Sequence, residues 1–189
     1  LNHNRLKVLS EISHKVVSVL NRLGMPFAKF KIDIKEKEVF DTYGNTNILF
    51  MFSANKGRSM QEVAKIASGG ELSRLMLALK YINSQNTKIN TLIFDEIDSG
   101  VSGEVASLMA DMMSNISLDT QLIAISHLPQ IASRADNHLK VQKYTLIDST
   151  ESKVIELDGK QRVEEIAKLL SGKNLTQSAL DNAVDLLNQ

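Results

Sequence analysis

The chain has 189 residues, 43% of them hydrophobic, and sets 22 Lys and Arg against 22 Asp and Glu. That length supports one core-forming unit, and the zero net charge excludes both a global basic field for nucleic acid and an acidic solvating tail. The absence of cysteine excludes disulfides and thiolate metal sites and fits a reducing, intracellular compartment. No apolar run reaches the ~20 residues of a membrane span and Leu1-Asn2-His3-Asn4-Arg5 is no secretion signal, so a soluble protein without membrane partners is expected. A start on Leu, directly into a helical pattern, is what a segment cut from a longer polypeptide gives.

Leu6, Leu9, Ser13, Val16, Leu20 and Leu23 form a heptad-like stripe that Gly24 and Pro26 stop. With fewer than four heptads, periodicity alone favours an amphipathic surface helix over the base of a coiled coil. Phe30, Ile32 and Ile34 alternate, Ile48–Phe52 reads as a second strand, and Tyr43-Gly44-Asn45 supplies the turn of an antiparallel hairpin. Lys29, Lys31, Lys35 and Lys37 lie on its other face, read as solvated.

After Ser68-Gly69-Gly70, Leu72, Leu75, Met76, Leu79 and Ile82 follow helical spacing. Thr91-Leu92-Ile93-Phe94 then has the pattern of a buried parallel strand that delivers Asp95-Glu96 at its end. A helix over Glu104–Ile116 carries Met109, Met112 and Met113 as gap-filling core, and Leu122–Ile125 is a second buried strand that delivers Ser126-His127. Together they make a βαβ unit. Pro129 opens a short helix; His138–Lys143 and Lys153–Leu157 read as strands around a turn near Asp148-Ser149-Thr150; Val163–Leu170 and Leu180–Leu187 close the chain as helices.

Four pieces carry chemistry. Glycines 69 and 70 let backbone N–H groups approach an anion at a helix N-terminus, where unpaired donors and a positive partial charge already favour phosphate; the ordinary alternative is an N-cap at Ser68 or Ser73 with Glu71 in the first turn. An acid at the end of an apolar strand is costly unless paired, protonated or beside a cation. In nucleotide hydrolases the first such acid holds Mg2+ and the second orients or deprotonates the attacking water, roles that suit Asp95 and Glu96 in that order. His127, at the end of the second apolar run, can hydrogen-bond a γ-phosphate and hold that water. Between them, Asp98-Ser99-Gly100-Val101-Ser102-Gly103 suits a loop that touches a neighbour or a nucleotide.

In this order, the motifs resemble those of ATP-binding cassette (ABC) ATPases. Ala67-Ser-Gly-Gly-Glu-Leu-Ser-Arg74 is similar to the signature motif, Thr91–Glu96 to Walker B, Asp98–Gly103 to the D-loop and His127 to the switch histidine. Within that superfamily the signature continuing as Glu-Leu-Ser-Arg, the Asp-Ser-Gly-Val-Ser-Gly loop, Ser126–Ala132 with Ala135-Asp136, and Arg162–Ala167 resemble the RecN family of bacterial DNA repair proteins, itself similar to the SMC group. The resemblance implies an α/β P-loop NTPase fold of ABC type, its C-terminal head lobe over residues 25–189 and the end of a coiled-coil helix over residues 1–24. It also implies ATP and Mg2+ as cofactors, Asp95 on the metal, Glu96 and His127 as catalytic residues, and Ser68, Gly69, Gly70, Glu71 and Asp98 as nucleotide contacts. Its implied partners are an N-terminal P-loop half of the same protein, a second head and DNA, in a bacterial cytoplasm at the nucleoid, with a role in double-strand break repair and recombination.

One departure follows. No Gly-x-x-x-x-Gly-Lys-[Ser/Thr] occurs, since Gly57-Arg58-Ser59 and Gly172-Lys173-Asn174 lack the spacing. The chain alone is therefore expected to bind ATP weakly and to hydrolyse none. The rival readings are an SMC or transporter ATPase segment and a non-catalytic dimerisation or scaffold lobe; intact Asp95, Glu96 and His127 argue against the latter.

Overall fold

In the computed structural model, which describes residues 2–145, 149–172 and 174–189, the heptad-like stripe becomes helix α1 (Asn2–Arg22). Its two halves differ. Val16, Val19, Leu20 and Leu23 are buried, whereas Leu6 is 57% exposed, so the first half runs clear of apolar cover. Gly24, at a φ of +74°, turns the chain out of the helix, as a left-handed residue after a helix end does.

The hairpin is longer than the apolar alternation indicates: β1 (Lys29–Asp41) pairs antiparallel with β2 (Gly44–Ser53), from Lys29 opposite Ser53 to Asp41 opposite Gly44, with an irregularity between Glu36 and Asp41. Phe30, Ile32 and Phe52 are buried, and the Phe30 and Phe50 rings stack at 5.7 Å. The Arg5 guanidinium donates to Thr46 Oγ1 at 2.8 Å, tying the start of α1 to β2. A two-residue strand β3 (Gln61–Glu62) and a 3-10 turn (Val63–Lys65), neither signalled by the sequence, follow.

Helix α2 (Gly69–Asn86) buries Gly70, Leu75, Leu77 and Ala78, while Met76, counted in the apolar stripe, faces out. Strand β4 (Thr91–Asp95), helix α3 (Gly103–Ser117) and strand β5 (Gln121–Ile125) form the expected strand–helix–strand unit, with Met109, Met112 and Met113 buried. The two strands are neighbours in one sheet and start side by side: Gln121 N donates to the Asn90 carbonyl at 3.0 Å and the Thr91 and Gln121 side chains bond at 3.0 Å. Neither strand is buried on both faces. Leu92 and Phe94 face the core, but Ile93 is 65% exposed and Ile123 and Ile125 are exposed too. The expectation of fully buried strands is corrected here: an apolar run reports affinity for a covering layer, and β4 is covered on one face only, while β5 has no buried residue, with Leu122 half-buried and Ala124 exposed.

The chain divides into two compact units, Leu1–Ala124 and Ile125–Gln189. In the second, α4 (Pro129–Ser133) is followed by the antiparallel strands β6 (Leu139–Thr145) and β7 (Thr150–Glu156), then α5 (Gly159–Ser171) and α6 (Gln177–Leu187). Of the turn expected near Asp148-Ser149-Thr150, Asp148 lies outside the described residues. Ile166, Ala167, Ala179 and Ala183 form the core of this unit, flanked by Ala132, Val163, Leu180 and Leu187. Helix α5 starts earlier than its apolar stripe because Asp158 and Gln161 form a reciprocal capping box, and Thr176 caps α6.

Candidate active site

The glycine loop sits at the surface. Ser68 occupies the N-cap position of α2 but its hydroxyl makes no cap hydrogen bond, so the capping alternative does not account for it; Ser68 and Gly69 are exposed and only Gly70 is buried. What buries Gly70 is the loop after β4. A Cβ on Gly70 would lie 2.5 Å from the Gly100 carbonyl oxygen, and one on Gly100, whose φ is +71°, would lie 3.1 Å from the Gly70 nitrogen. Gly69 faces Ser99, with both its carbonyl and Oγ 3.6 Å from a built Cβ. The two glycine loops thus touch backbone to backbone, an approach only glycine permits.

Arg74 holds this junction from below. Its Nε donates to the Gly70 carbonyl at 3.1 Å and its Nη1 to the Leu23 carbonyl at 3.3 Å, so one guanidinium bridges the glycine loop and the end of α1. Burial pushes its pKa down, opposed by the charge of Glu71. Glu71 itself is engaged: Asn55 Nδ2 donates to its Oε1 at 3.0 Å. That positions Glu71 as a support of the loop.

Asp95 ends β4 and is exposed; Glu96 follows it, also exposed, and is the one non-glycine residue with positive φ (+49°) among the described residues. A left-handed Glu is strained, and such strain concentrates where a side chain must be aimed. The turn that imposes it is explicit: Ser99 N donates to the Glu96 carbonyl at 3.1 Å and Val101 N to the Asp98 carbonyl at 3.1 Å. Asp98 is 1% exposed, beneath the same loop. Among the described residues no group of three or more His, Asp or Glu side chains could cage a metal. Two adjacent strand-end carboxylates suit Mg2+, which is commonly held by one or two carboxylates together with phosphate oxygens and waters.

His127 belongs to the second unit. It is exposed, two residues past β5, in a turn where Leu128 N donates to Ser126 Oγ at 3.0 Å just before Pro129 opens α4. Elsewhere in this unit Arg162 donates to the carbonyls of Ser133 and Ala135, at 3.3 and 2.6 Å, locking the end of α4. Neither arginine clamp was legible as such, because each reaches carbonyls at least 26 residues away or across elements.

No family model matches the chain. It is 36% identical over 188 residues to the DNA repair protein RecN of Vibrio cholerae serotype O1, covering 99% of this chain and 34% of that protein. Against the DNA repair protein RecN of Rickettsia prowazekii it is 41% identical over 187 residues, with 99% and 34% covered. The chain therefore spans about a third of the length of these relatives. Among solved structures it is similar to the Smc head domain of Pyrococcus yayanosii, with a TM-score of 0.67 at 20% identity over 89% of this chain and 30% of the other. The fold is that of the C-terminal lobe of an ABC/SMC-type ATPase head.

Proposed function

Given that the chain belongs to the RecN family, as a segment matching the C-terminal third of its members, we propose that it forms half of an ATPase head that engages DNA in break repair. The P-loop comes from the N-terminal half of the same protein. The apolar outer face of β4 and β5, with Ile93, Ile123 and Ile125 exposed, is the face that half would cover. Helix α1 continues into a coiled coil, which accounts for Leu6 and Val8 standing uncovered on its first half.

In this reading the exposed Ser68 and Gly69, at the start of α2, meet a triphosphate held by a second head, and the buried Gly70 lets the loop lie against Gly100. Asp95 would hold Mg2+, whose charge would offset the charge that develops on the phosphoryl group. Glu96 takes or orients the proton of the attacking water, and His127 donates to the γ-phosphate and fixes its position. Asp98 shapes the loop that carries Ser99 and Gly100. The observation that carries the proposal is the contact of Gly70 with Gly100, which welds the signature-like loop to the turn that aims Glu96.

Glu96→Gln in the full-length protein is expected to lower ATP turnover by roughly 100-fold or more while leaving nucleotide binding intact. Ser68→Arg should abolish turnover by blocking the second head. The chain by itself should show no turnover, and mixing it with the P-loop half should restore it. Full activity in both variants, in a steady-state phosphate-release assay, would end the proposal.

A further inference from the structure

Glu96 keeps a left-handed backbone, at a φ of +49°, and strain of that kind persists only where the surroundings leave the residue no alternative. The two hydrogen bonds inside its turn, from Ser99 N to the Glu96 carbonyl and from Val101 N to the Asp98 carbonyl, set the shape of the turn but not its place. Its place comes from Gly100 lying against Gly70, and Gly70 is held by the Nε of Arg74. The other bond of this half-buried guanidinium runs to Leu23, one residue past α1, where the last carbonyls of a helix lack intrahelical donors and a cation is favoured. A Cβ on Gly24 would lie 3.9 Å from Arg74 Nη1 and 3.5 Å from Val105 of α3, so the group sits where the end of α1 meets α2 and α3. A planar fork holds its two carbonyls at one separation, which a flexible ammonium does not. A second polar tie of α1, from Arg5 to Thr46, runs to β2 and does not touch the glycine junction.

We propose that Arg74 is a positioning residue for hydrolysis: it transmits the position of the end of α1, through Gly70 and Gly100, to the turn that aims Glu96. The inference rests on the role given to Glu96 above and extends it to a residue that acts only through others. Each link is a direct contact, with hydrogen bonds at 3.3 and 3.1 Å followed by backbone against backbone. None of them can be relaxed by a side-chain rotation outside Arg74 itself, so a shift of α1 at Leu23 reaches the turn by way of this one guanidinium.

The test uses the full-length protein with Arg74→Gln, Arg74→Lys, Val19→Ala, the Arg74→Gln/Val19→Ala pair and Arg5→Gln. Phosphate release gives kcat and KM, a fluorescent ATP analogue gives nucleotide affinity, and hydrogen exchange over residues 96–101 reports the turn. Arg74→Gln should lower kcat roughly tenfold or more, with KM and nucleotide affinity within about twofold of the parent. It should also cut protection of the Ser99 and Val101 amides by roughly tenfold while the amides of α6 keep theirs. Arg74→Lys should fall between parent and Arg74→Gln in both readouts, and Arg5→Gln should match the parent. Val19→Ala, which trims the buried face of α1, should loosen the turn in the parent and add nothing in the Arg74→Gln background, as coupled positions do. The inference is overturned if Arg74→Gln turns over normally, if it loses nucleotide affinity as much as kcat, if exchange rises equally in α6, or if Val19→Ala acts alike in both backgrounds. Should Arg74→Gln not fold, Arg74→Lys carries the test, and a normal kcat with a protected turn in that variant overturns the inference. Glu96→Gln separates the two levels. If it turns over normally, the proposed function has failed; if it is impaired while Arg74→Gln is not, only the assignment of Arg74 has failed.

Discussion

The junction of the two glycine loops and the outer face of the β4–β5 pair are built on opposite principles. At the junction, backbone meets backbone so closely that a single Cβ on Gly70 has no room. Across the strand pair, Ile93, Ile123 and Ile125 stand open with nothing over them. The first region is complete within this chain and resists any change of volume. The second presents apolar side chains to solvent, and on the proposed function it is the face that the N-terminal half would cover.

The sharpest way to break that contrast is on one strand. Leu92 faces the core at 7% exposure, whereas its neighbour Ile93 is 65% exposed. Leu92→Ala should cost about 2–5 kcal/mol in urea unfolding of the chain, a loss of burial plus a cavity. Ile93→Ala should stay within about 0.5 kcal/mol in the chain, as surface substitutions do, and become costly only in the full-length head. Equal costs for both in the chain would mean that the outer face is already covered.

Next in size is the junction. Gly70→Ala sets a Cβ against backbone that cannot rotate away, and should cost about 1–3 kcal/mol with lowered turnover of the full-length protein. Gly57→Ala is the control, because Gly57 has open space around it and pays only for its φ of +81°, about 1 kcal/mol.

The smallest effect is a pH dependence in the second unit. Burial lowers the His138 pKa from 6.5, with Arg162 and Lys140 lowering it further and Glu165, which is paired with Lys140, opposing them. The fold therefore prefers neutral His138. Its contribution is fully present above pH 6.5 and is lost as pH falls through the depressed folded-state value. His138→Gln should flatten the acid side of a melting-temperature profile measured from pH 8 to pH 5; an unchanged slope would remove His138 from the account.

These contrasts also show what the residues could disclose in advance. Strand β4 and the loops at Ser68–Gly70 and Asp98–Gly103 were legible because apolar runs and paired glycines are local signals. Whether β4 was covered on one face or two was not, since Ile93 is as apolar as Leu92 and only the surrounding layers distinguish them. The outer part of the hairpin, Lys35–Asp41, was hidden by its charges, and β3 by its length of two residues, set by pairing with Met51 and Phe52. The capping box at Asp158 and Gln161 was in plain view as Asp-x-x-Gln and would have placed the start of α5 correctly. Arg74 stood in the signature-like stretch, but its reach to Leu23 depends on where α1 ends in space.

The left-handed backbone at Glu96 has a consequence for evolution at that position. A glycine there would sit at ease where glutamate is strained, so Glu96→Gly should raise the melting temperature of the chain, by an amount on the order of 1 kcal/mol in stability, while it removes the carboxylate. If Glu96 has the catalytic role proposed for it, fitness as a folded object and fitness as a catalyst pull in opposite directions at one residue. A paired measurement of melting temperature and turnover would show that trade directly, and a destabilised glycine variant would show that the turn, not the side chain, sets the conformation.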